Sequence, residues 1–209
     1  GPEDAGEDAE LVARIRAEIR ERGPITFARF MERALYEPGH GYYRRADPAP
    51  GLAAGDFLTA PEADPLFGAA IGRLLEQAWH AMGRPDPFTV TEPGAGTGAL
   101  AAGLLGGLRF AGRARRAGGG WGGGGGGAPP VDGEVGAVVA NEVLDALPVH
   151  RVVWRGGRLH ERLVTATADG FAEIDGRPTD PALVAWAEQL AADGITVPDG
   201  HVAEACLAI

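Results

Sequence analysis

Residues 89–100, with the sequence TVTEPGAGTGAL, place three glycines at alternate positions between a β-branched run and a run rich in alanine and leucine. Gly94, Gly96 and Gly98 suit a tight turn from a strand into a helix, because glycine readily adopts left-handed backbone conformations. Such a turn lets a ligand approach the main chain and presents N–H groups at the start of the helix. The stretch therefore predicts a strand–turn–helix unit that binds a nucleotide-like cofactor.

Two kinds of cofactor are compatible with this turn. Gly94, Gly96 and Ala99 also satisfy the dinucleotide pattern G-x-G-x-x-G/A, in which the turn carries a pyrophosphate. Glu92 distinguishes between these two kinds of cofactor. A carboxylate at the end of the strand repels a pyrophosphate, whereas it suits a cationic cofactor such as S-adenosylmethionine. The pattern therefore favours a methyltransferase, and a glycine-rich turn without any ligand stays open as the alternative.

The composition narrows the class of protein. The 209 residues carry a formal net charge of −10, whereas sequence-independent nucleic-acid binding needs an excess of lysine and arginine. The single cysteine, Cys206, excludes an internal disulfide and a cysteine-rich zinc site, and the five histidines lack metal-ligand spacing. We therefore expect no metal, no nucleic acid and no anionic membrane as partners, and the composition leaves the oligomeric state open.

Targeting signals are not apparent in the sequence. The acidic start GPEDAGEDAE resembles neither a secretion signal nor a mitochondrial presequence, and no apolar run approaches the roughly 20 residues that span a bilayer. We therefore expect a soluble protein of a bacterial cytoplasm.

The residue patterns divide the chain into three predicted segments. Residues 1–87 contain amphipathic helices and a long loop, rich in glycine and proline, that is a candidate lid. Residues 88–149 contain the glycine turn, a glycine-rich tract at 112–130 that we expect to be flexible, and an apolar strand at 135–140. Residues 150–209 are predicted to form an antiparallel meander and a helix.

Four motifs occur in the order found in the MidA-like class I methyltransferases: FMERALYEPGHGYY, GDFLTAPEADPLFG, TEPGAGTGAL and VVANEVLDALPVHRVV. The sequence resembles this family over residues 24–108 and 135–209. The resemblance implies an α/β fold, in which a Rossmann-like class I methyltransferase sheet is combined with an N-terminal helical segment and an inserted antiparallel β meander. It also implies S-adenosyl-L-methionine as cofactor. Mitochondrial members of the family are protein arginine methyltransferases that assist assembly of respiratory complex I, so the implied acceptor is an arginine side chain of a protein.

The resemblance also assigns roles to individual residues. Asn141 and Asp56 are candidates for cofactor binding, although a backbone bridge and turn capping are structural alternatives for them. Glu142 is the first candidate, and Asp145 the second, for the carboxylate that aligns an acceptor guanidinium and receives its proton. A turn or N-cap role is the alternative for Asp145. The implied contacts of the cofactor turn are Glu92, Gly94, Gly96 and Gly98.

One region departs from the family pattern. A class I sheet needs a strand after the glycine turn that ends in an acidic residue for the ribose hydroxyls, but the only acids between Ala99 and Val135 are Asp132 and Glu134. We therefore expect the glycine tract to replace that strand, the sheet to be incomplete, and the chain to be the N-terminal part of a longer enzyme.

The sequence is compatible with three functions. The first is a protein arginine or other protein N-methyltransferase, and the second is a methyltransferase for a small molecule. The third is a noncatalytic fragment or assembly module in which cofactor binding is impaired.

Overall fold

A computed structural model describes the chain in four ranges, residues 8–44, 58–108, 113–117 and 135–207. The chain divides into two compact units: unit 1 comprises residues 1–46 and 147–209, and unit 2 comprises residues 47–146. This division differs from the three predicted segments, because the N-terminal helices pack with the C-terminal meander. None of the helices within the four ranges combines the length and the apolar character that crossing a membrane requires.

The described residues contain six helices and eight strands. The helices are α1 (Ala9–Arg22), α2 (Phe27–Tyr36), α3 (Ala60–Ala63), α4 (Pro65–Ala81), α5 (Ala99–Gly107) and α6 (Pro181–Ala192). The strands are β1 (Ile25–Thr26), β2 (Thr89–Pro93), β3 (Arg113–Ala117), β4 (Gly136–Val138), β5 (His150–Arg155), β6 (Arg158–Ala166), β7 (Phe171–Gly176) and β8 (Val202–Ala205). A short 3₁₀ turn spans Leu144–Ala146.

Unit 1 is built on an antiparallel sheet in the order β1–β6–β5–β8, with β7 also paired to β6. The β5–β6 turn contains Gly156 and Gly157, both with positive φ, as a two-residue hairpin turn requires. The helix α6 covers part of the sheet, since its fully buried Leu183 packs with Val152 and Trp154. The predicted meander is therefore present, and strand β8 lies beside β5.

The N-terminal helices of unit 1 pack on this sheet. The carboxylate of Asp8 caps α1 by accepting hydrogen bonds from the N–H groups of Glu10 and Leu11, at 3.1 and 2.9 Å. Strand β1 places Ile25 opposite Val164 of β6. The buried residues of this core cluster are Leu11, Ile15, Ile19, Ile25 and Val164. The apolar stripe of the predicted amphipathic helix is thus the contact between α1 and the sheet.

Unit 2 contains a parallel three-stranded sheet in the order β3–β2–β4. Strand β3 pairs with β2 along its full length, from Thr89 opposite Arg113 to Pro93 opposite Ala117. The expectation that no strand follows the glycine turn is therefore wrong. The sequence RARRA has no apolar alternation, so a prediction from hydrophobicity missed a strand that parallel backbone pairing forms. The remainder of the predicted flexible tract lies outside the described residues.

Two helices of unit 2 approach each other closely through glycines. Gly68 and Gly72 of α4 face Gly103 and Gly107 of α5. A Cβ atom added at Gly68 would lie 2.7 Å from the Cα of Gly103, and one added at Gly72 would lie 2.7 Å from the carbonyl oxygen of Leu104. Since these neighbours are backbone atoms, no larger residue fits without moving a helix. The contact fixes α5, and with it the end of the glycine turn, against α4.

Candidate functional site

The glycine turn connects the buried strand β2 to helix α5. The φ angles of Gly94, Gly96 and Gly98 are 66°, 48° and 82°, so all three glycines adopt the left-handed conformation. Gly98 is the N-cap of α5, and its carbonyl accepts the N–H of Ala102 at 3.0 Å. The predicted strand–turn–helix unit is confirmed, and each of the three glycines is needed for its backbone angle.

Two features of the turn suit a ligand that carries both signs of charge. Gly98 has no side chain with which to cap α5, so the N–H groups of the first helical turn receive no bond from that position. These groups, with the helix dipole, favour a carboxylate or hydroxyl of a ligand. Glu92 is only 6% exposed at the carboxyl end of β2, where it places a carboxylate beside the turn. A cation is favoured there.

The segment after β4 lies against the glycine turn. The N–H of Val139 donates to the carbonyl of Thr91 at 2.9 Å, so the pairing with β2 continues past β4 toward the same edge of the sheet. A Cβ atom added at Gly94 would lie 2.7 Å from Cγ2 of Val143. Residues 141–143 therefore stand next to the turn, at the carboxyl end of the parallel strands where ligands of open α/β sheets bind.

The sequence-predicted residues of this segment differ in conformation. Glu142 is exposed and has a φ of 50°, a left-handed angle that costs a non-glycine residue about 1–2 kcal/mol. Asn141 is half-buried, and Asp145 is exposed in the 3₁₀ turn. Strained residues of this kind concentrate at functional sites, so Glu142 stands out among the three. Asp56 lies outside the described residues, and its role stays a prediction.

Sequence reasoning missed Glu62 of helix α3. Its side chain accepts hydrogen bonds from the hydroxyl of Thr59, at 3.1 Å, and from the hydroxyl of Thr97 in the glycine turn, at 3.3 Å. The sequence TAPE at 59–62 is a capping-box pattern, and this signal predicts the local bond. The bond to Thr97 has no sequence signal, because it joins residues 35 positions apart.

A separate buried carboxylate lies in the sheet of unit 1. Glu161 is fully buried and accepts hydrogen bonds from Nδ1 of His150, at 2.7 Å, and from the N–H of Thr179, at 2.6 Å. Burial by itself raises the pKa of Glu161, but these hydrogen bonds outweigh it and hold the pKa below its ordinary value. This cluster joins β5, β6 and the segment before α6. Across the described ranges, no three His, Cys, Asp or Glu residues are grouped to hold a metal ion.

Comparisons with known proteins point to one cofactor. A family model described as "Putative S-adenosyl-L-methionine-dependent methyltransferase" matches residues 70–115 and 128–209, which include the glycine turn and residues 141–145. The crystal structure of a "likely methyl transferase" from Burkholderia thailandensis, bound to S-adenosyl-homocysteine, is 32% identical with a TM-score of 0.69. The similarity covers 100% of this chain and 59% of that chain.

Curated relatives carry a more specific name. A mitochondrial "protein arginine methyltransferase NDUFAF7 homolog" of Drosophila melanogaster is 40% identical over 95 residues, which are 46% of this chain and 21% of the relative. The mitochondrial "protein arginine methyltransferase NDUFAF7" of Mus musculus is 33% identical over 104 residues, which are 50% of this chain and 23% of the relative. The matches thus cover about half of this chain and less than a quarter of either relative.

Proposed function

This chain belongs to the S-adenosyl-L-methionine-dependent methyltransferase family that it matches, and we propose that its glycine turn serves methyl transfer to an arginine side chain of a protein. The observation that carries the proposal is the contact between two segments. The turn with three left-handed glycines lies against Val143, and the neighbouring Glu142 has a strained, left-handed backbone. Both segments lie within the stretches that match the family.

The residues of the turn fit S-adenosylmethionine. This cofactor, when bound, supplies a methyl group on a positively charged sulfur. The three left-handed glycines have no side chains that would keep a ligand away from the backbone of the turn. The first N–H groups of α5 suit the carboxylate in the amino-acid portion of the cofactor. Glu92 provides the negative charge that suits a cationic ligand. We infer that Asn141, which is half-buried in the segment after β4, adds a polar contact.

The acceptor side of the proposal rests on Glu142. An arginine side chain is protonated near neutral pH, so a carboxylate has to align its guanidinium and take up a proton when the methyl group is transferred. Glu142 is exposed and therefore accessible to a protein substrate. Asp145, exposed in the following turn, is the second candidate. The names of the curated relatives support arginine as the acceptor.

A single-turnover assay tests this proposal. Labelled S-adenosylmethionine is mixed with excess chain and with an arginine peptide, a lysine peptide or a small amine, and affinity for S-adenosyl-homocysteine is measured by calorimetry. We expect methylation of the arginine peptide, and we expect Glu142→Gln to lower its rate by about 10²–10⁴ while affinity is kept. Glu21→Gln, at an exposed position on α1, is the matched control.

The alternatives give different results in the same assay. Methylation of the small amine alone would indicate a small-molecule methyltransferase, and the absence of S-adenosyl-homocysteine binding would indicate a noncatalytic module. A folded Glu142→Gln variant with unchanged transfer would move the acceptor role to Asp145 or elsewhere.

We further propose that the methylated protein belongs to respiratory complex I and that the chain acts in a bacterial cytoplasm. Methylation of purified complex I subunits and cell fractionation test these two points.

A further inference from the structure

Helix α3 is joined to the glycine turn through one side chain. Oε1 of Glu62 accepts the hydroxyl of Thr97 at 3.3 Å. Its Oε2 accepts the hydroxyl of Thr59 at 3.1 Å and the backbone N–H of Thr59 at 3.3 Å. Glu62 is therefore held by two bonds at its own helix while the other oxygen reaches the turn.

Helix α3, which carries Glu62, is connected directly to a helix that packs within unit 2. The chain passes directly from α3 into α4 at Asp64, whose carboxylate accepts the N–H of Leu66 at 2.8 Å as the N-cap of α4. Within α3, Pro61 is buried. Helix α4 then packs against α5 through glycine backbones, as described above for Gly68 and Gly103. Glu62 thus lies on a segment that leads directly into the helix packed against α5.

The residue that Glu62 holds lies between two glycines of the turn. Thr97 stands between Gly96 and Gly98, whose left-handed conformations are only part of what a glycine populates when it is free. Holding such a turn in one conformation before the ligand arrives lowers the entropy that binding has to remove. The hydroxyl of Thr97 is where a side chain from outside the turn can do this.

We propose that Glu62 is a positioning residue for the cofactor: by holding Thr97, it keeps the glycine turn in the conformation that receives S-adenosylmethionine. This inference rests on the proposed function of the turn. It assigns to Glu62 no contact with the reacting atoms. It predicts that Glu62 and Thr97 act as one unit, so that losing either side chain has the same effect as losing both.

The test is a double-mutant cycle on the full chain. Affinity for S-adenosyl-homocysteine is measured by calorimetry for Glu62→Ala, Thr97→Val and the double variant. Removing one hydrogen bond should weaken binding about 3- to 10-fold in each single variant, and the double variant should show no further loss. Thr97→Ser, which retains the hydroxyl, should keep wild-type affinity. The matched control is Glu76→Ala, because the ion pair of Glu76 with Arg73 lies within α4.

A second readout does not need the cofactor. Amide exchange at residues 94–98 of the free chain should be about 3- to 10-fold faster in Glu62→Ala and in Thr97→Val, and unchanged in Glu76→Ala and Thr97→Ser. Additive losses in the double variant, or a Glu62→Ala chain with wild-type affinity and exchange, would overturn the inference. If the wild-type chain binds no S-adenosyl-homocysteine, the proposed function fails, and the role of Glu62 in cofactor binding fails with it; faster exchange would then show only that Glu62 holds the turn.

Discussion

Gly94→Ala should destabilise the glycine turn in two separate ways. The φ of Gly94 is 66°, and a left-handed backbone costs an alanine about 1–2 kcal/mol. The added Cβ would also lie 2.7 Å from Cγ2 of Val143, a β-branched side chain that has few alternative rotamers. Overpacking of this kind costs about 1–3 kcal/mol. We therefore expect the free energy of unfolding to fall by about 2–5 kcal/mol.

Two other glycines separate the contributions of strain and collision. Gly96 has a φ of 48°, but the nearest atom to its added Cβ is the carbonyl oxygen of Gly94 at 3.9 Å. Gly96→Ala should therefore carry the backbone cost alone, about 1–2 kcal/mol. Gly106 lies in α5 with no atom within 4 Å of its added Cβ, so Gly106→Ala should stabilise the chain by about 0.5–1 kcal/mol.

Urea unfolding of the variants measures these differences in the free energy of unfolding. The double variant Gly94→Ala/Val143→Ala removes the collision and keeps the strain. After correction for Val143→Ala alone, its loss should approach that of Gly96→Ala. Equal losses for Gly94→Ala and Gly96→Ala, or no recovery in the double variant, would refute the proposed packing of residues 141–143 against the turn.

Two further predictions concern stability. Because hydrogen bonds hold the pKa of Glu161 below its ordinary value of 4.5, its carboxylate contributes stability that is complete above this value and is lost as pH falls through the folded pKa. Urea midpoints between pH 3 and 7 should therefore fall more steeply for wild type than for Glu161→Gln, and parallel curves would contradict this. Gly103→Ala should lower the free energy of unfolding by about 1–3 kcal/mol, because its Cβ would lie 2.9 Å from the Cα of Gly68. The same urea titration checks it, Gly106→Ala in the same helix is the control, and a stability equal to that of the control would be contrary to the expected close packing.

Patterns within short stretches of the sequence correctly predicted the elements whose structure depends mainly on neighbouring residues. The apolar stripe of α1 and the glycine pair at Gly156–Gly157 are properties of short segments, and both appear in the structure as expected. The left-handed angles of the glycine turn followed from residue type, because glycine adopts them readily. Strand β3 did not follow, since an arginine-rich segment becomes a strand here by pairing with β2, which is distant in sequence.

The candidate site was predictable only in part for the same reason. Glu142 was selected by resemblance, whereas its left-handed φ depends on how the loop after β4 meets the turn, which no local pattern encodes for a glutamate. The bond from Thr97 to Glu62 depends on the placement of α3 by α4. Tertiary packing decides both features, so they required a structure.

The discontinuous sequence of unit 1 has a consequence for protein synthesis. Arg16 of α1 donates to the carbonyl of Thr167 at 2.6 Å across a separation of 151 residues. At about 5–20 residues per second, a ribosome needs about 8–30 s to deliver that partner. During this time all of unit 2 emerges, while the apolar face of α1 has no sheet to cover it. We expect translation to complete the inserted unit first and to leave the first helices of the nascent chain in need of a chaperone.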